Sequence, residues 1–577
     1  MKESGPKYGY LMNLKKSVYV LGKCGSLETA EDRKSQLIRL GLEPDNIKIH
    51  PDDAAMDIRI NEENLLEIKA NYGAKVLGSY IGTPEFILKN LAKKMTFLKE
   101  EALLLLEHRN IQERYIFLRY CFSQKINHLL RTTDLSLTEA FSEEFDYLQK
   151  IILCSLLGQY NPQSLPEWAW NQSCLPTKDG GLGLHKAFLT RFPAYLGSAV
   201  DCLPTTESII PNWTETALPS AQNVRTALQF IQESATFDGQ DLVSLSLEQV
   251  REMGKNKVKN DPSSPIIGRQ YQLSAIMVPA ETERLVSSYD SKHLSWFTST
   301  ADSTSARFLE VLPKNPSFTF DPEAYRVLLN LRLYLPQPER TEGLRCDCKK
   351  KPTVDNNCFH FITGCPKSAF GMNIHNGVCN TLKELANAVG LRAKREPFGV
   401  FRDIFVDGIT DTQQNMRPDL IVYNGMGTRV DVVLDVSNAT PVPIFGNQIL
   451  PIEVGKVPNR VTELRYQEKE RKYHDTATAN NLKFIPIVFE TTGRMHPKSL
   501  KYLNDHILSK YDTHYQEGKL LKNFWLSKIS CSFQHQVAMS IKNKLRMLTA
   551  GRFSYGTYEN REDFINSSSS SFSVHRS

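Results

Sequence analysis

The sequence of 577 residues has no apolar run that approaches the roughly 20 residues of a membrane-spanning helix. It also lacks internal repeats, and its first residues, MKESGPKYGY, lack the apolar segment of a secretory signal. A net charge of +6 is small for this length, so the charge of the whole chain does not indicate nucleic-acid binding. We therefore expect an intracellular protein of about two to four domains, in which any nucleic-acid role rests on local basic clusters.

Most of the eleven cysteines stand alone, but a group of them lies between Cys346 and Cys365. In an intracellular chain such crowding favours a metal site over disulfide bonds. The segment CDCKKKPTVDNNCFHFITGC supplies a candidate set of tetrahedral zinc ligands: Cys346, Cys348, His360 and Cys365. The spacing between Cys346 and Cys348 is shorter than usual, and Cys358 is an alternative ligand. Free, partly buried cysteines are the competing interpretation.

Hydrophobic spacing predicts a multidomain chain that is mainly α-helical over its N-terminal two-thirds and ends in a small α/β domain. Within the helical part, GAKVLGSYIG predicts a hairpin marked by glycines. Beyond the cysteines, the predicted order is a helix over 373–389, strands over 419–423 and 428–436, a helix over 461–473 and the strand KFIPIVFE. A mixed sheet between about Asn373 and His506 should carry Asp419 and Asp435.

Basic side chains recur between the apolar positions of the helices that follow Pro84. Such faces suit nucleic-acid phosphates, although a charged helical face is more often simply exposed to solvent. The candidate nucleic-acid-binding residues are Lys89, Lys93, Lys94, Lys99, Arg114, Arg119, Lys125 and Arg131, with a second group of Lys542, Lys544, Arg546 and Arg552 near the C-terminus. We expect binding through these residues to weaken as the salt concentration rises.

The stretch NMRPDLIVYNGMGTRVDVVLDVSNATP places aspartates in or beside apolar segments. A buried carboxylate is costly unless it is paired, hydrogen-bonded or bound to a metal. Asp419 and Asp435 at one end of a sheet would hold Mg²⁺ or Mn²⁺, and a lysine from YQEKERKYH, Lys469 or Lys472, would stabilise a charged transition state. The alternative is a pair of turn aspartates and an exposed charged helix.

Several blocks together resemble the C-terminal half of a non-LTR (LINE-type) retrotransposon polyprotein of the class that carries a restriction-like endonuclease. These blocks are YGYLMNLKKSVYVLG (with Asn13, Lys16 and Ser17), KVLGSYIG, WAWNQSCLPTKDGGLGLHKAFLTRFPAYLGS, FDPEAYRVLLNLRLYLP and IHNGVCNTLKELANAVGLRAKREP. The resemblance implies a remnant of the reverse transcriptase palm over 1–83, a thumb-like helical domain over 84–200, a helical linker over 201–340, a zinc-knuckle-like cluster over 341–370, a PD-(D/E)xK endonuclease over 371–515, and a basic helix with a disordered serine-rich tail over 516–577.

The resemblance also implies roles for individual residues. Pro418 and Asp419 match the P-D of the nuclease, and Asp435 matches the aspartate of D-V-(S/T)-x-x-x-P. Ser437 stands where a lysine is usual, so Lys472, with Lys469 as the alternative, is expected to substitute for it. Asp431 and Glu396 are further candidate carboxylates, and Ile374 departs from the usual arginine.

The polymerase aspartates of that family have no counterpart, because no Y-x-D-D precedes Lys16. We therefore expect a truncated element without reverse transcriptase activity. The expected function is a nuclear, metal-dependent DNA endonuclease that nicks a target site and binds DNA and the element RNA. Mg²⁺ or Mn²⁺ is expected in the nuclease and Zn²⁺ in the knuckle, with no membrane or small-molecule partner. The alternative is a decayed RNA- or DNA-binding module that no longer cleaves.

Overall fold

The computed structural model describes residues 18–57, 61–159, 161–237, 240–241, 245–253, 268–338, 341, 343–397, 399–401, 417–427, 429–442, 455–512 and 515–549. Over these residues the protein is mainly helical with a few small sheets, as the hydrophobic spacing predicted. The predictions for Asn13, Lys16, Ser17, Arg552 and the serine-rich tail lie outside the described residues. Among those described, no helix is both long and apolar enough to cross a membrane.

The described α-helices are α1 (Leu27–Arg39), α2 (Pro51–Ala55), α3 (Glu62–Asn71), α4 (Pro84–Glu107), α5 (Ile111–Phe117), α6 (Asn127–Thr132), α7 (Leu135–Leu157), α8 (Glu167–Cys174), α9 (Ala187–Ile209), α10 (Pro219–Ser234), α11 (Leu247–Glu252), α12 (Arg269–Val286), α13 (Ser291–Thr300), α14 (Ser303–Ala306), α15 (Pro322–Arg332), α16 (Phe359–Thr363), α17 (Phe370–Ala388), α18 (Arg460–Ala479), α19 (Pro497–Tyr502) and α20 (Tyr515–Thr549). The strands are β1 (Tyr19–Val20), β2 (Ile47–Lys48), β3 (Gly73–Val76), β4 (Ser79–Gly82), β5 (Thr236–Phe237), β6 (Gln240–Asp241), β7 (Ala393–Arg395), β8 (Leu420–Val422), β9 (Val432–Ala439) and β10 (Lys483–Glu490).

The chain divides into two compact units, each made of separate stretches of sequence. The first unit contains the chain up to Leu104, Ser123–Gln149 and Lys186–Glu281. The second contains Leu105–Phe122, Lys150–His185 and the chain from Thr282 onward. The domain boundaries implied by the family resemblance stay predictions.

The first unit contains the predicted hairpin and a helical core. Strands β3 and β4 pair antiparallel, and Gly78 in the turn between them has a φ of 93°, which favours glycine. Helix α9 begins where both oxygens of the Asp146 carboxylate accept hydrogen bonds from backbone N–H groups, Ala187 N at 2.7 Å and Phe188 N at 3.0 Å. Apolar side chains of α9, α10 and α12, among them Leu196, form a buried cluster.

The second unit contains a mixed sheet of four strands in the order β10–β9–β8–β7. Strands β9 and β10 run parallel, and the other neighbours run antiparallel. Helix α18 lies in the connection between the parallel strands, as a parallel pair requires, and packs against both. The mixed sheet predicted between Asn373 and His506 is therefore present, and it contains Asp435 on β9.

Some element boundaries differ from the predicted ones. Strand β9 begins at Val432 rather than near residue 428, because Asp431 closes the preceding turn by accepting a hydrogen bond from Asn424 N at 2.9 Å. Helix α18 continues past Tyr473 to Ala479, where buried Ala477 packs against the sheet. The apolar spacing along a helix fades in its last turn, so it locates helix ends poorly.

Candidate active site and metal centre

Asp419 and Asp435, hereafter the carboxylate pair, meet on neighbouring strands. Leu420 pairs with Leu434 in the antiparallel register, and Asp419 N continues the ladder by donating to Leu434 O at 3.0 Å. One further step of the same register places Asp419 opposite Asp435. Directly opposed residues point to the same face with Cβ atoms roughly 5 Å apart, a separation that a shared cation can bridge.

Helix α18 brings Lys469 to this pair. Val433 of β9 packs in one cluster with Tyr473 and Ala477 of α18, so this helix covers the face of Val433 and Asp435. Two residues along a strand advance roughly 6.6 Å and four residues along a helix roughly 6 Å. The distance along the strand from Val433 to Asp435 therefore matches the distance along the helix from Tyr473 to Lys469. As a result, Lys469 Nζ lies 2.8 Å from Asp435 Oδ2.

The second predicted lysine, Lys472, does not reach the carboxylate pair. Lys472 is exposed, and its ammonium lies over the ring of Tyr473 at 5.0 Å from the centroid. Residues four apart share a helical face, whereas neighbouring residues differ by about 100°. The sequence predicted Lys472 as the active lysine and Lys469 as the alternative. This order is wrong, because Lys469, four residues before Tyr473, faces the sheet and Lys472 does not.

Electrostatics at the carboxylate pair favour a bound cation. Burial and the neighbouring charge of Asp435 raise the pKa of Asp419 to about 7, although Val436 N donates to Asp419 Oδ2 at 2.6 Å. Asp435 is buried, and the Lys469 ammonium lies 2.8 Å from its Oδ2. Two buried carboxylates on adjacent strands are costly unless a positive charge, here the Lys469 ammonium, compensates them.

Tyr473 and Glu396 flank the pair. Burial and the charges of Asp435 and Asp419 raise the pKa of the Tyr473 phenol, which lies beside both carboxylates. Glu396 follows β7, its backbone N–H donates to Asp419 O at 2.9 Å, and its exposed carboxylate adds to the negative potential at Asp419. The Glu396 carboxylate itself pairs with Arg395 at 3.2 Å, so its part in the site stays a prediction.

Two other residues of β9 and its turn have different surroundings. Asp431 lies four residues before Asp435, about 13 Å along the strand, and caps the turn, so the prediction that it assists the site is wrong. Ser437 shares the face of Asp435, but its buried hydroxyl has no hydrogen-bond partner. Ser437 is a short side chain, so it leaves room for Lys469 to approach Asp435 from α18.

Helix α17 adds side chains that the sequence did not single out. His375 Nε2 lies 3.2 Å from Asp419 Oδ1, and the buried Cys379 follows one turn later. The donor atoms of His375, Cys379 and Asp419 all lie within 4.8 Å of one another. The sequence could have indicated that His375 and Cys379 act together, because residues four apart on a predicted helix share one face. Tyr473 lies four residues after Lys469, so the same spacing could have predicted that these two side chains share one face.

Cys346, Cys348, His360 and Cys365, hereafter the Cys/His cluster, form a second centre. All four side chains are buried, and their donor atoms lie within 4.8 Å of one another. The Sγ atoms of Cys346 and Cys365 are 3.6 Å apart, and Cys348 Sγ is 3.5 Å from His360 Nε2. Tetrahedral zinc with its usual bond lengths separates sulfurs by roughly 3.8 Å and sulfur from nitrogen by roughly 3.5 Å. The cluster therefore fits a structural zinc ion.

Local structure presents the ligands of the Cys/His cluster from two short segments. A bridge between Arg345 and Thr353 closes the loop that carries the first two cysteines, and α16 carries His360. Burial lowers the pKa of His360, which favours the neutral imidazole that binds metals. Cys358 is buried but does not belong to the group of four, so the structure does not select it as the alternative ligand.

Comparison with protein-family models and with curated proteins finds no match. Function must therefore follow from the residues themselves.

Two predicted nucleic-acid contacts in the N-terminal helices are wrong. Arg114 is buried and donates hydrogen bonds to His108 O at 3.0 Å and to Ser155 Oγ at 3.1 Å. Arg119 is largely covered, and its guanidinium lies 3.7 Å from Glu310. Both arginines satisfy interior polar groups, so neither presents its charge to a phosphate.

The basic residues predicted near the C-terminus also bind within the chain. Lys542 and Lys544 are buried on α20, where Lys542 pairs with Asp321 and Lys544 with Asp347. Arg546 remains more exposed and pairs with Glu323. These ion pairs attach α20 to its own unit, and the prediction of phosphate binding is wrong for the two lysines because they are not accessible.

The remaining candidates lie on the first unit. Lys89 and Lys93 of α4 are exposed, and Lys94 lies over the ring of Phe97. The others take part in ion pairs: Lys99 with Glu144, Lys125 with Glu101 and Arg131 with Asp201. Surface pairs of this kind are weak and exchange readily, so these residues are still available for a phosphate.

Proposed function

We propose that this protein is a metal-dependent DNA endonuclease attached to a nucleic-acid-binding segment that resembles part of a reverse transcriptase. The observation that carries the proposal is the carboxylate pair with Lys469 Nζ 2.8 Å from Asp435 Oδ2. The motif blocks support an origin in a non-LTR retrotransposon, with target DNA and element RNA as partners in the nucleus.

The residues around the pair have separate tasks in such a reaction. Val436 N holds Asp419 Oδ2, and the other oxygen, Oδ1, lies 3.2 Å from His375 Nε2. Asp435 Oδ2, which contacts Lys469 Nζ at 2.8 Å, would complete the oxygen ligand set once the ammonium moves away. Mg²⁺ or Mn²⁺ bound there would lower the pKa of a water molecule and polarise the phosphodiester. Tyr473 packs beside both carboxylates and shields them from water on the side of α18.

Lys469 supplies the positive charge of the site. Its side chain is only 15% exposed, and it reaches Asp435 from the covered face of the sheet. When the pair binds a cation, the ammonium exchanges its contact with Asp435 for a phosphate oxygen. There it stabilises the negative charge that develops during attack, and the partial exclusion of water strengthens this effect.

Nicking of supercoiled plasmid tests the proposal. The full chain is used, because α20 packs along α17 beside the sheet and its removal would expose apolar surface. Wild-type protein should nick with Mg²⁺ or Mn²⁺ and not with chelator. Asp419→Asn and Asp435→Asn should each abolish nicking, because an amide is a poor ligand for these ions, while both proteins remain folded.

Asp431→Asn is the matched control, since it changes the same atoms on a residue that only caps a turn. It should nick like wild type. Equal nicking by wild type and Asp435→Asn would assign the activity to another site or a contaminant. A folded wild-type protein that binds DNA without nicking it would support the decayed binding module instead.

A further inference from the structure

A histidine, a cysteine and an aspartate converge beside the carboxylate pair, and the nuclease chemistry uses only the aspartate. His375 and Cys379 lie one turn apart on α17, so their side chains share one face of the helix. Both reach Asp419, and the three donor atoms lie within 4.8 Å of one another. His375 Nε2 and Asp419 Oδ1 are 3.2 Å apart.

An ordinary hydrogen bond does not explain this arrangement. His375 Nε2 is buried, yet among the described residues neither Asp419 nor another group accepts a hydrogen bond from it with acceptable geometry. Donors bound to one zinc ion at roughly 2.0 Å lie roughly 3.3 Å apart, which is the separation of this nitrogen and oxygen.

We propose that His375, Cys379 and Asp419 bind a divalent transition-metal ion of the zinc type. Imidazole and thiolate ligands favour zinc over magnesium, whereas the carboxylate pair alone favours magnesium or manganese. Binding releases the thiol proton of Cys379 to solvent and leaves the thiolate on the metal. Three protein ligands leave a fourth position open, unlike the closed set of the Cys/His cluster.

Asp419 belongs to both groups, so the two kinds of metal compete. A zinc ion on His375, Cys379 and Asp419 occupies one member of the carboxylate pair and places a second positive charge beside the other. Zinc should therefore inhibit magnesium-dependent nicking. This consequence rests on the proposed nuclease, whereas the binding site itself does not.

Zinc content after equilibration with buffered zinc tests the site directly. Wild-type full chain should hold about two equivalents, one in the Cys/His cluster and one at the new site, whereas Cys379→Ser and His375→Gln should each hold about one. Cys531→Ser is the control, because Cys531 is a buried cysteine of α20 outside both groups, and it should keep both equivalents. Circular dichroism and melting curves verify folding, and His375→Gln decides the test if Cys379→Ser unfolds.

Cobalt distinguishes the new site from the Cys/His cluster. The Cys/His cluster gives a sulfur-to-metal absorption band with the first equivalent of Co²⁺ in every variant. The second equivalent should add to this band in wild type and in Cys531→Ser, and it should add nothing in Cys379→Ser. Only one equivalent of zinc in folded wild type, or two in folded Cys379→Ser, would overturn the proposal. If zinc binds as expected but never changes nicking, the site stands and the link to the nuclease fails.

Discussion

Lys469 and Lys472 show how much the position of one residue on a helix decides. Both are lysines of the same short motif, and both lie on α18. Lys469 is one turn before the buried Tyr473 and contacts Asp435, whereas Lys472 is exposed beside it. A helix turns by about 100° per residue, so Lys469, four residues before Tyr473, points within about 40° of it, whereas Lys472, one residue before it, points about 100° away.

Lys469→Ala should lower the single-turnover nicking rate by about 10²-fold or more, because it removes the charge that stabilises the transition state. Lys472→Ala is the matched control and should change the rate by less than about 3-fold, since an exposed lysine contributes little. Rates are measured at saturating protein on supercoiled plasmid. A larger loss in Lys472→Ala than in Lys469→Ala would contradict the geometry of α18.

Glu490, at the end of β10, is a buried acid, and its contribution to the free energy of unfolding depends on pH. Burial raises the pKa of Glu490 to about 7, although the Ser299 hydroxyl donates to it and Arg494 lies near. The ordinary pKa of 4.5 applies to the unfolded chain, so the folded protein retains a proton that the unfolded chain loses. Its contribution to stability is therefore full below pH 4.5 and is lost as the pH rises to about 7.

Glu490→Gln should reduce the loss of stability over this pH range by up to about 3 kcal/mol, because the amide does not ionise and keeps the bond from Ser299. Urea unfolding at several pH values, with zinc saturating, measures the free energy of unfolding of both proteins. The difference between variant and wild type isolates Glu490 from other titrating groups. A difference that is constant over the range would show that Glu490 has an ordinary pKa.

At the scale of secondary structure, polar segments gain order from the elements around them. The loop that carries the Cys/His cluster has few apolar residues, and its position depends on the bridge at Arg345, on α16 and on the pairing of Asp347 with Lys544 of α20. A zinc ion would hold the two ligand segments together and so contribute directly to the folding of this region.

Cys348→Ser should release zinc and increase hydrogen exchange over residues 343–369, because a hydroxyl does not replace a thiolate ligand. Cys358→Ser is the matched control, since this buried cysteine lies in the same loop but outside the cluster, and it should retain zinc. Zinc content and exchange measured by mass spectrometry provide both readouts. Release of zinc by Cys358→Ser, with retention by Cys348→Ser, would reverse the assignment of ligands.

At the scale of the whole molecule, the basic residues fall into two groups that the composition does not distinguish. Lys542 and Lys544 are buried in ion pairs and hold α20, whereas Lys89 and Lys93 are exposed on α4. Each phosphate contact releases counterions, so only the accessible lysines affect the salt dependence of nucleic-acid binding.

Replacing Lys89 and Lys93 by glutamine should lower the slope of log affinity against log salt by up to about 0.9 per lost contact with duplex DNA. Lys544→Gln should leave this slope unchanged and lower the free energy of unfolding, because it leaves Asp347 without its buried partner. Fluorescence anisotropy with labelled duplex DNA measures the slope. An affinity that does not vary with salt would exclude a phosphate-led mode of binding.

The sequence by itself indicated helical and strand segments, apart from several boundaries, and the residue types of the Cys/His cluster and of the carboxylate pair. These features depend on local patterns: apolar spacing of two or of three to four residues, glycine at turns, and motifs such as P-D and K-x-x-K-Y. Only the tertiary structure decided that Lys469 rather than Lys472 meets Asp435, that His375 and Cys379 join Asp419, and that Lys544 is buried. These outcomes depend on strand register and on which helix packs on which face, and such long-range contacts leave no periodic trace in the sequence.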